Sequence, residues 1–171
     1  MTTQMLGAVL AMILIVSAVS TDYWSKKSLD TGVDGVKVNL HFGLWRVCAD
    51  GGKDGAKIID CKHLPPDDDP SFPKNSLYAA RVFAILAAIL SLCSIGCLNG
   101  TVPKKWVLMC LVAAALCALI AISVWAAELM KLKVLDPQQP TKFDPSYSFY
   151  AMIVGAVILL VLAGQCYANK N

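Results

Sequence analysis

The sequence predicts an α-helical membrane protein: a bundle of four transmembrane helices with a small, disulfide-stapled antiparallel β-sheet on the extracellular side. The first observation is composition. The 171 residues are 57% hydrophobic and 16% charged, with a mean hydropathy of +0.59, whereas soluble domains carry charge at roughly 25% of positions. The second is distribution, because the apolar residues form four long blocks and leave one long polar segment that contains two cysteines.

The four apolar blocks give the predicted spans, at about residues 5–21, 77–98, 106–127 and 148–168. Among them, the second block contains one charged residue, Arg81, and the others contain none. A helix needs about 20 mostly apolar residues to cross the hydrocarbon core, so four spans fit and the first is slightly short. The polar segments then become extracellular loops at about residues 22–74 and 128–147, and residues 1–171 are predicted to form a single tetraspan domain.

The first span has a competing interpretation as a cleaved signal peptide. Ala18-Val19-Ser20 resembles a small-x-small cleavage site. However, Met1-Thr2-Thr3-Gln4 contains no basic residue, and signal peptides normally begin with a basic region. The sequence therefore favours a retained membrane anchor.

The long polar segment is predicted to form the sheet. Residues 36–45 alternate between apolar and polar side chains, which favours a strand. Residues 57–61 are predicted as the return strand, so that a hairpin brings Cys48 towards Cys61. Runs of turn-forming residues occupy positions 30–35 and 49–55.

Cys48 and Cys61 are the two cysteines, of seven, that lie outside the apolar blocks. Two cysteines alone in a long loop indicate one disulfide, which places the loop on the oxidising side of the membrane. With four spans, both termini are then cytoplasmic. Within or at the edges of the helices, buried thiols are most often small packing residues, but Cys97 and Cys166 fall near the cytoplasmic ends and are candidates for palmitoylation.

The lysines give a weaker indication of orientation. Lys104-Lys105 in the short loop and Lys170 near the C-terminus favour the cytoplasmic side. Lys131 and Lys133, at the other end of the third span, oppose that assignment. The net charge of +3 is small and the basic residues are scattered, so nothing indicates a nucleic-acid partner.

Two further segments connect the sheet and the spans. Residues 65–70 combine three prolines with three adjacent aspartates, which predicts a solvated connector, and their spacing lacks the alternation of an EF-hand loop. Apolar residues recur every third position after the third span, which predicts a helix that continues beyond the membrane: Leu129, Leu132 and Leu135. Pro137 and Pro140 are expected to end it.

Several residues match one family pattern: Trp24, Gly43, Leu44, Trp45, Cys48, Cys61, and Arg81 preceded by Ala79-Ala80. The pattern is a Trp after the first span, then Gly-Leu-Trp, two intervening residues, a Cys, and later a second Cys. It resembles the superfamily of claudins, peripheral myelin proteins, epithelial membrane proteins and lens-fibre membrane proteins. The span count and the long first and short second loops fit over nearly the whole chain. The resemblance implies the tetraspan, claudin-like fold.

The branch of this superfamily stays open. The twelve residues between the cysteines form a longer spacer than in typical claudins. The tail Asn169-Lys170-Asn171 lacks the Tyr-Val ending by which many claudins bind scaffold proteins, and it is more similar to the lens-fibre, epithelial-membrane and peripheral-myelin branch. The context of residues 42–46 also resembles the gamma subunits of voltage-gated calcium channels.

The matched residues are expected to be structural. Trp24, Leu44 and Trp45 suit the outer membrane boundary, where aromatic side chains are favoured. Gly43 would permit a close approach that a side chain blocks. The functional alternative is that Trp45 contacts a partner or lipid directly.

Arg81 is expected about one helical turn inside the second span. A charge deep in lipid costs several kcal/mol, so its side chain should snorkel outwards or bond to carbonyls of the sheet. That makes it a structural clamp rather than a transport residue. Glu128 is a candidate for its ion-pair partner, with a simple interfacial position as the alternative.

No pattern of catalytic residues is present, so we expect no enzymatic activity, cofactor or metal. His41 and His63 lie in no recognisable ligand or nucleophile motif. Cys61-Lys62-His63 would offer too few ligands for zinc once Cys61 is in a disulfide. Asn99-Gly100-Thr101 is a formal glycosylation sequon, but the predicted orientation places it in the cytoplasm.

The leading functional hypothesis is a non-enzymatic plasma-membrane protein, located at cell–cell contacts, that acts in cell adhesion, in cell junctions or in membrane organisation through its extracellular sheet. Its expected partners are the lipid bilayer and a second copy or another membrane protein, in the same or the opposite membrane; no small-molecule substrate is expected. The alternatives are an auxiliary channel subunit of the calcium-channel gamma kind and a paracellular barrier or pore former. The mixed charge of residues 22–74 gives no ion-selectivity signal, and unbroken spans disfavour a transporter.

Overall fold

The computed structural model describes residues 3–30, 37–51, 58–64, 73–99, 102–128 and 144–168. Over these ranges the helices and strands follow one another in the order α1 (Thr3–Ser20), β1 (Ser25–Asp30), β2 (Lys37–Phe42), β3 (Arg46–Gly51), β4 (Ile58–His63), α2 (Lys74–Asn99), α3 (Lys104–Glu128), β5 (Asp144–Pro145) and α4 (Tyr147–Ala168). Most of the sheet is therefore inserted between α1 and α2.

The four helices are long and apolar enough to cross a membrane. At 1.5 Å per residue they extend for about 27 to 39 Å, against a hydrocarbon core of about 30 Å. Each packs against two neighbours, α1 and α3 both lying against α2 and α4. The predicted fold class is confirmed: the chain is a multi-pass membrane protein with a four-helix bundle and a disulfide-stapled antiparallel sheet.

Small side chains fill the interior of the bundle. Buried alanines and glycines occur in all four helices: Ala8, Ala11 and Ala18; Ala80, Ala84 and Ala87; Ala114, Ala115, Ala118 and Ala121; Gly155, Ala156 and Ala163. Larger residues such as Leu10, Ile89 and Val161 are exposed on the outside. Lipid tails are as apolar as these side chains, so the small residues matter because they let the helix backbones approach closely. Larger buried side chains, such as Ile15, Leu111 and Met152, pack between them.

Exposed aromatic side chains mark both ends of the bundle. Tyr78, Tyr147 and Tyr150 lie at the end that carries the sheet, and Trp106 and Tyr167 lie at the opposite end. Tyrosine and tryptophan are enriched at the two membrane–water boundaries. Tyr167 follows Tyr150 by 17 positions, a rise of about 26 Å along the helix, close to the thickness of a hydrocarbon core.

The five strands form one antiparallel sheet in the order β4-β3-β2-β1-β5. Its register places Cys48 of β3 directly opposite Cys61 of β4, and the two form a disulfide with Cα atoms 4.1 Å apart. At this pair of positions, β3 and β4 are therefore joined by a covalent bond, in addition to the backbone hydrogen bonds between the two strands. The loop that it closes is short, and the chain-entropy estimate assigns such a closure about 3 kcal/mol.

The strand predicted over residues 36–45 is interrupted in the structure. β2 ends at Phe42 and β3 begins at Arg46, and the Gly43 amide donates to the Arg46 carbonyl at 2.9 Å. Residues 43–45 therefore form a turn between two paired strands. The apolar character of Leu44 and Trp45, which prolonged the alternating pattern, serves contact with the bundle instead.

Other expectations lie outside the described residues. These are the connector at 65–70, the extension of α3 through Leu129, Leu132 and Leu135, its termination at Pro137 and Pro140, the tail at 169–171, and the Gly100 and Thr101 positions of the sequon.

Two glycines of α4 give a paired test of this packing. A Cβ atom at Gly155 would lie 2.9 Å from Cγ1 of the fully buried Ile15 and 3.3 Å from the Ala11 carbonyl oxygen, whereas one at Gly164 meets nothing within 4 Å. We expect Gly155→Ala to lower the free energy of unfolding by about 1–3 kcal/mol through overpacking, and Gly164→Ala to preserve it. Thermal unfolding in detergent measures both. Equal stability of the two variants would contradict the close α1–α4 contact.

Candidate functional site

The sheet and the bundle meet at one group of residues, which we call the junction: Trp24, Gly43, Leu44, Trp45 and Arg81. Trp24 follows α1, the Gly43–Trp45 segment is the turn between β2 and β3, and Arg81 lies in α2. The structure thus brings together three segments that are distant from one another in the sequence.

Two indole groups cap the end of α1. The Nε1 atom of Trp24 donates to the Ala18 carbonyl at 2.6 Å, and the Nε1 atom of Trp45 donates to the Val19 carbonyl at 2.7 Å. The last carbonyls of a helix have no partner within the helix, and near lipid there is little water to replace one. Trp45 therefore links the β2–β3 turn to α1 through a hydrogen bond that satisfies one of the last carbonyls of that helix.

Trp24 also connects α1 to the far side of the bundle. Its side chain is 0% exposed, and its ring centroid lies 5.1 Å from that of Trp125 in α3 and 6.4 Å from that of Phe149 in α4, edge to face in the second case. Such aromatic pairs add about 0.5–1.5 kcal/mol each beyond the area that they bury. A single side chain in the segment after α1 thereby contacts both α3 and α4.

Arg81 holds the other side of the sheet. Its Nε atom donates to the Leu44 carbonyl at 2.7 Å and its Nη2 atom to the Leu64 carbonyl at 2.6 Å. The guanidinium carbon lies 5.0 Å from the ring centroid of Trp45 and 5.6 Å from that of Tyr78. The charge is thus stabilised by two carbonyl dipoles and two aromatic faces, an arrangement consistent with the expected clamp.

The candidate ion pair between Arg81 and Glu128 is not observed among the described residues. Among the described residues the recorded salt bridge joins Arg46 to Asp22, and Arg81 bonds to carbonyl oxygens rather than to Glu128. Glu128 is the last residue of α3 and is exposed.

Gly43 allows the turn to touch the end of α1. A Cβ atom on Gly43 would overlap the Cα atom of Asp22 and lie 3.0 Å from its carbonyl carbon. Backbone atoms cannot move aside as a flexible side chain can, so every larger residue would separate the turn from the helix end. Leu44, the next residue, is fully buried.

Polar groups that sequence reasoning did not select complete the attachment. Asp22 pairs with Arg46 at 2.7 Å, with Arg46 49% exposed. The hydroxyl groups of Thr21 and Ser148 lie 2.6 Å apart, and the Ser148 amide donates to the Tyr23 carbonyl at 3.2 Å. These contacts tie the start of α4 to the segment after α1. In the sequence, the only sign of this role was that Thr21, Asp22 and Ser148 lie next to the ends of apolar blocks. Short polar residues are common at such positions, so the sign was not specific.

The two palmitoylation candidates come together at the opposite end of the bundle. Cys97 of α2 and Cys166 of α4 line one cavity of about 300 Å³, together with Gln4 and Lys104. Cys166 is 8% exposed and Cys97 is half-buried, while Cys93 is exposed. Acylation of Cys97 or Cys166 stays a prediction.

The histidines take ordinary positions in the sheet. His41 lies opposite Cys48 and beside the Tyr23 ring, with centroids 4.6 Å apart, and His63 lies opposite Arg46. Within the described ranges, no three His, Cys, Asp or Glu side chains are placed to hold a metal ion.

The Arg81 contacts predict that arginine cannot be replaced by lysine. Lysine keeps the charge but lacks the planar fork that reaches two carbonyls, so Arg81→Lys should lose about 1–3 kcal/mol of stability. Arg46→Lys is the matched control, because an exposed ion pair contributes at most about 1 kcal/mol. The unfolding temperature and the amount of protein at the cell surface should both fall for Arg81→Lys and stay near the wild-type values for Arg46→Lys. Normal stability with selective loss of partner binding would make Arg81 a contact residue instead.

Comparison with known proteins agrees with this architecture. The family model described as the PMP-22/EMP/MP20/Claudin family matches residues 1–167, which include α1 to α3, all of α4 except its last residue, and the whole junction. A search of curated protein sequences gives no significant match. Since one family model covers nearly the entire sequence, the chain belongs to the PMP-22, epithelial membrane protein, MP20 and claudin family.

Proposed function

We propose that this protein is a non-enzymatic plasma-membrane protein that acts in cell–cell contact or in membrane organisation, with the sheet as its contact surface. The observation that carries the proposal is the rigid attachment of the sheet. α1 holds it through two indole groups, α2 holds it through Arg81, and the Ser146 amide before α4 donates to the Trp24 carbonyl at 3.0 Å. A surface fixed to three spans can meet a partner without losing much conformational freedom.

One face of this sheet points away from the bundle. On β1, Ser25 is buried whereas Lys26 and Ser28 are exposed, and on β4 the side chain of Ile59 is 58% exposed. Successive residues of a strand point to opposite faces, so the register places Lys26, Ser28 and Ile59 on the same outward face. An exposed isoleucine on an outer strand suits contact with another protein.

The composition of the bundle interior supports an interaction role over transport. Among the described residues, the buried polar side chains of the spans are serines: Ser91, Ser94 and Ser148. Ser91 and Ser94 donate to carbonyls of their own helix. Ion or substrate pathways usually carry ionisable residues facing the interior, and Arg81 is engaged with the sheet.

The disulfide supports an extracellular sheet, since disulfides persist in oxidising compartments. The opposite end, with Asn99 and Lys104-Lys105, then faces the cytoplasm together with both termini. The lysines alone would not decide this, because Lys131, Lys133 and Lys142 lie in the other short segment.

A mixed culture tests the contact function. Cells that express the tagged protein are mixed with cells that do not, and enrichment is expected where two expressing cells touch. Ile59→Asp should reduce that enrichment severalfold, because a carboxylate is unfavourable in an apolar contact. Asp60→Ser, the next residue on the opposite face of β4, should not. Uniform distribution of the wild type with copurifying channel subunits would support the auxiliary-subunit alternative.

Glycosidase treatment tests the orientation. We expect unchanged electrophoretic mobility, because a cytoplasmic Asn99-Gly100-Thr101 sequon stays unmodified. A mobility shift that is abolished by Asn99→Gln would place this segment outside the cell and invert the topology.

A further inference from the structure

The cavity at the Lys104 end of the bundle is formed by all four helices. Gln4 of α1, Cys97 of α2, Val107 of α3 and Cys166 of α4 line it, and Lys104 lies at the start of α3. Its volume of about 300 Å³ is in the range of small-ligand pockets. No residue of the sheet or the junction contributes to it, so it is separate from the proposed contact surface.

The lining combines donors of hydrogen bonds with an apolar wall. The ammonium group of Lys104 and the amide of Gln4 can both donate to anionic oxygen atoms. Val107 is 5% exposed and Cys166 is 8% exposed, so the inner wall is apolar or weakly polar. An anion attached to a hydrocarbon fits this combination better than either component alone.

The charges of the chain are separated between its two ends. All twelve acidic residues lie in the segments 22–69 and 128–144, which adjoin the sheet end of the bundle in the sequence. Ten basic residues lie in the same two segments, and two more, Lys74 and Arg81, lie near the start of α2. The net charge of +3 therefore comes from the remaining basic residues, Lys104, Lys105 and Lys170. Because the sequence places no carboxylate side chain near the Lys104 end of the bundle, the electrostatic potential there favours anions.

The cavity also lies at the depth of lipid headgroups. The ammonium group of Lys105 lies 5.9 Å from the ring centroid of Trp106, which is exposed and lies two residues after the lining residue Lys104. Tryptophan rings settle at the boundary between hydrocarbon and headgroups. A ligand that reaches Lys104 from the bilayer would present its headgroup rather than its tail.

We propose that this cavity binds the phosphate headgroup of an anionic phospholipid, with Lys104 and Gln4 as donors to the phosphate oxygens. Anionic lipids are concentrated in the cytoplasmic leaflet, which is the leaflet that the proposed orientation gives to this end. The site does not depend on which protein the sheet contacts. A soluble phosphate compound shares the same chemistry and is separated from the lipid by the test below.

The test uses the full chain purified in an uncharged maltoside detergent. Thermal unfolding is followed while dioctanoyl phosphatidylglycerol is added, with dioctanoyl phosphatidylcholine and inorganic phosphate as parallel titrations. We expect phosphatidylglycerol to raise Tm in a saturable way and phosphatidylcholine to do so more weakly. Lys104→Gln should weaken the apparent affinity by roughly tenfold, while the neighbouring Lys105→Gln, outside the cavity lining, should change it by less than about threefold.

Alkylation of wild-type protein gives a second measurement that needs no stable variant. Bound phosphatidylglycerol should slow the reaction of Cys97 with a maleimide and leave Cys93, which does not line the cavity, unaffected. An equal effect of inorganic phosphate on Tm and on Cys97 would support the anion site with a soluble ligand. The proposal is overturned by the absence of any saturable shift, by equal losses in the two lysine variants, or by unchanged Cys97 reactivity.

Discussion

The structure depends on how backbone carbonyls at the membrane boundary find hydrogen-bond donors. The end of α1 leaves carbonyls at Ala18 and Val19 that water reaches poorly, and the sheet leaves carbonyls at Leu44 and Leu64 beyond its paired strands. In each case the donor is a side chain that has no acceptor of its own, an indole or a guanidinium. Such a donor satisfies the carbonyl without introducing a further group that would itself need a partner near lipid.

This requirement explains why the residue types at the junction are so specific. Phenylalanine in place of Trp45 would fill similar space but leave the Val19 carbonyl unpaired, and lysine in place of Arg81 could not span two carbonyls with one planar group. Gly43 belongs to the same arrangement, since the turn must touch Asp22 before the Trp45 side chain can reach α1. The family pattern thus corresponds to one connected set of contacts rather than to separate features of loop and span.

The fold class could be predicted because its signals are local. Four apolar blocks and two cysteines in one polar loop follow directly from the sequence. The strand boundaries could not, because Leu44 and Trp45 continue the alternating pattern of β2 although they are apolar for contact with the bundle. β1, with the sequence Ser-Lys-Lys-Ser-Leu-Asp, is poor in typical strand residues and forms because β2 pairs with it over its whole length. Trp125 gave no signal either, since a tryptophan inside an apolar block looks like any other lipid-facing side chain until Trp24 is seen against it.

The wide sequence separation of the junction contacts has a consequence for biosynthesis. A ribosome produces α1 and the strands β1 to β4 first, but Arg81 follows Leu44 by 37 residues, and Trp125 and Phe149 emerge later still. Trp24 therefore has no aromatic neighbours to cover it until the third and fourth spans have entered the membrane. Until then the Trp24 side chain lacks these two ring contacts at the sheet end of the bundle, and incompletely covered apolar groups are sites of misassembly and of chaperone binding. Full burial of Trp24 is thus reached only after the last span has been synthesised and has packed against it.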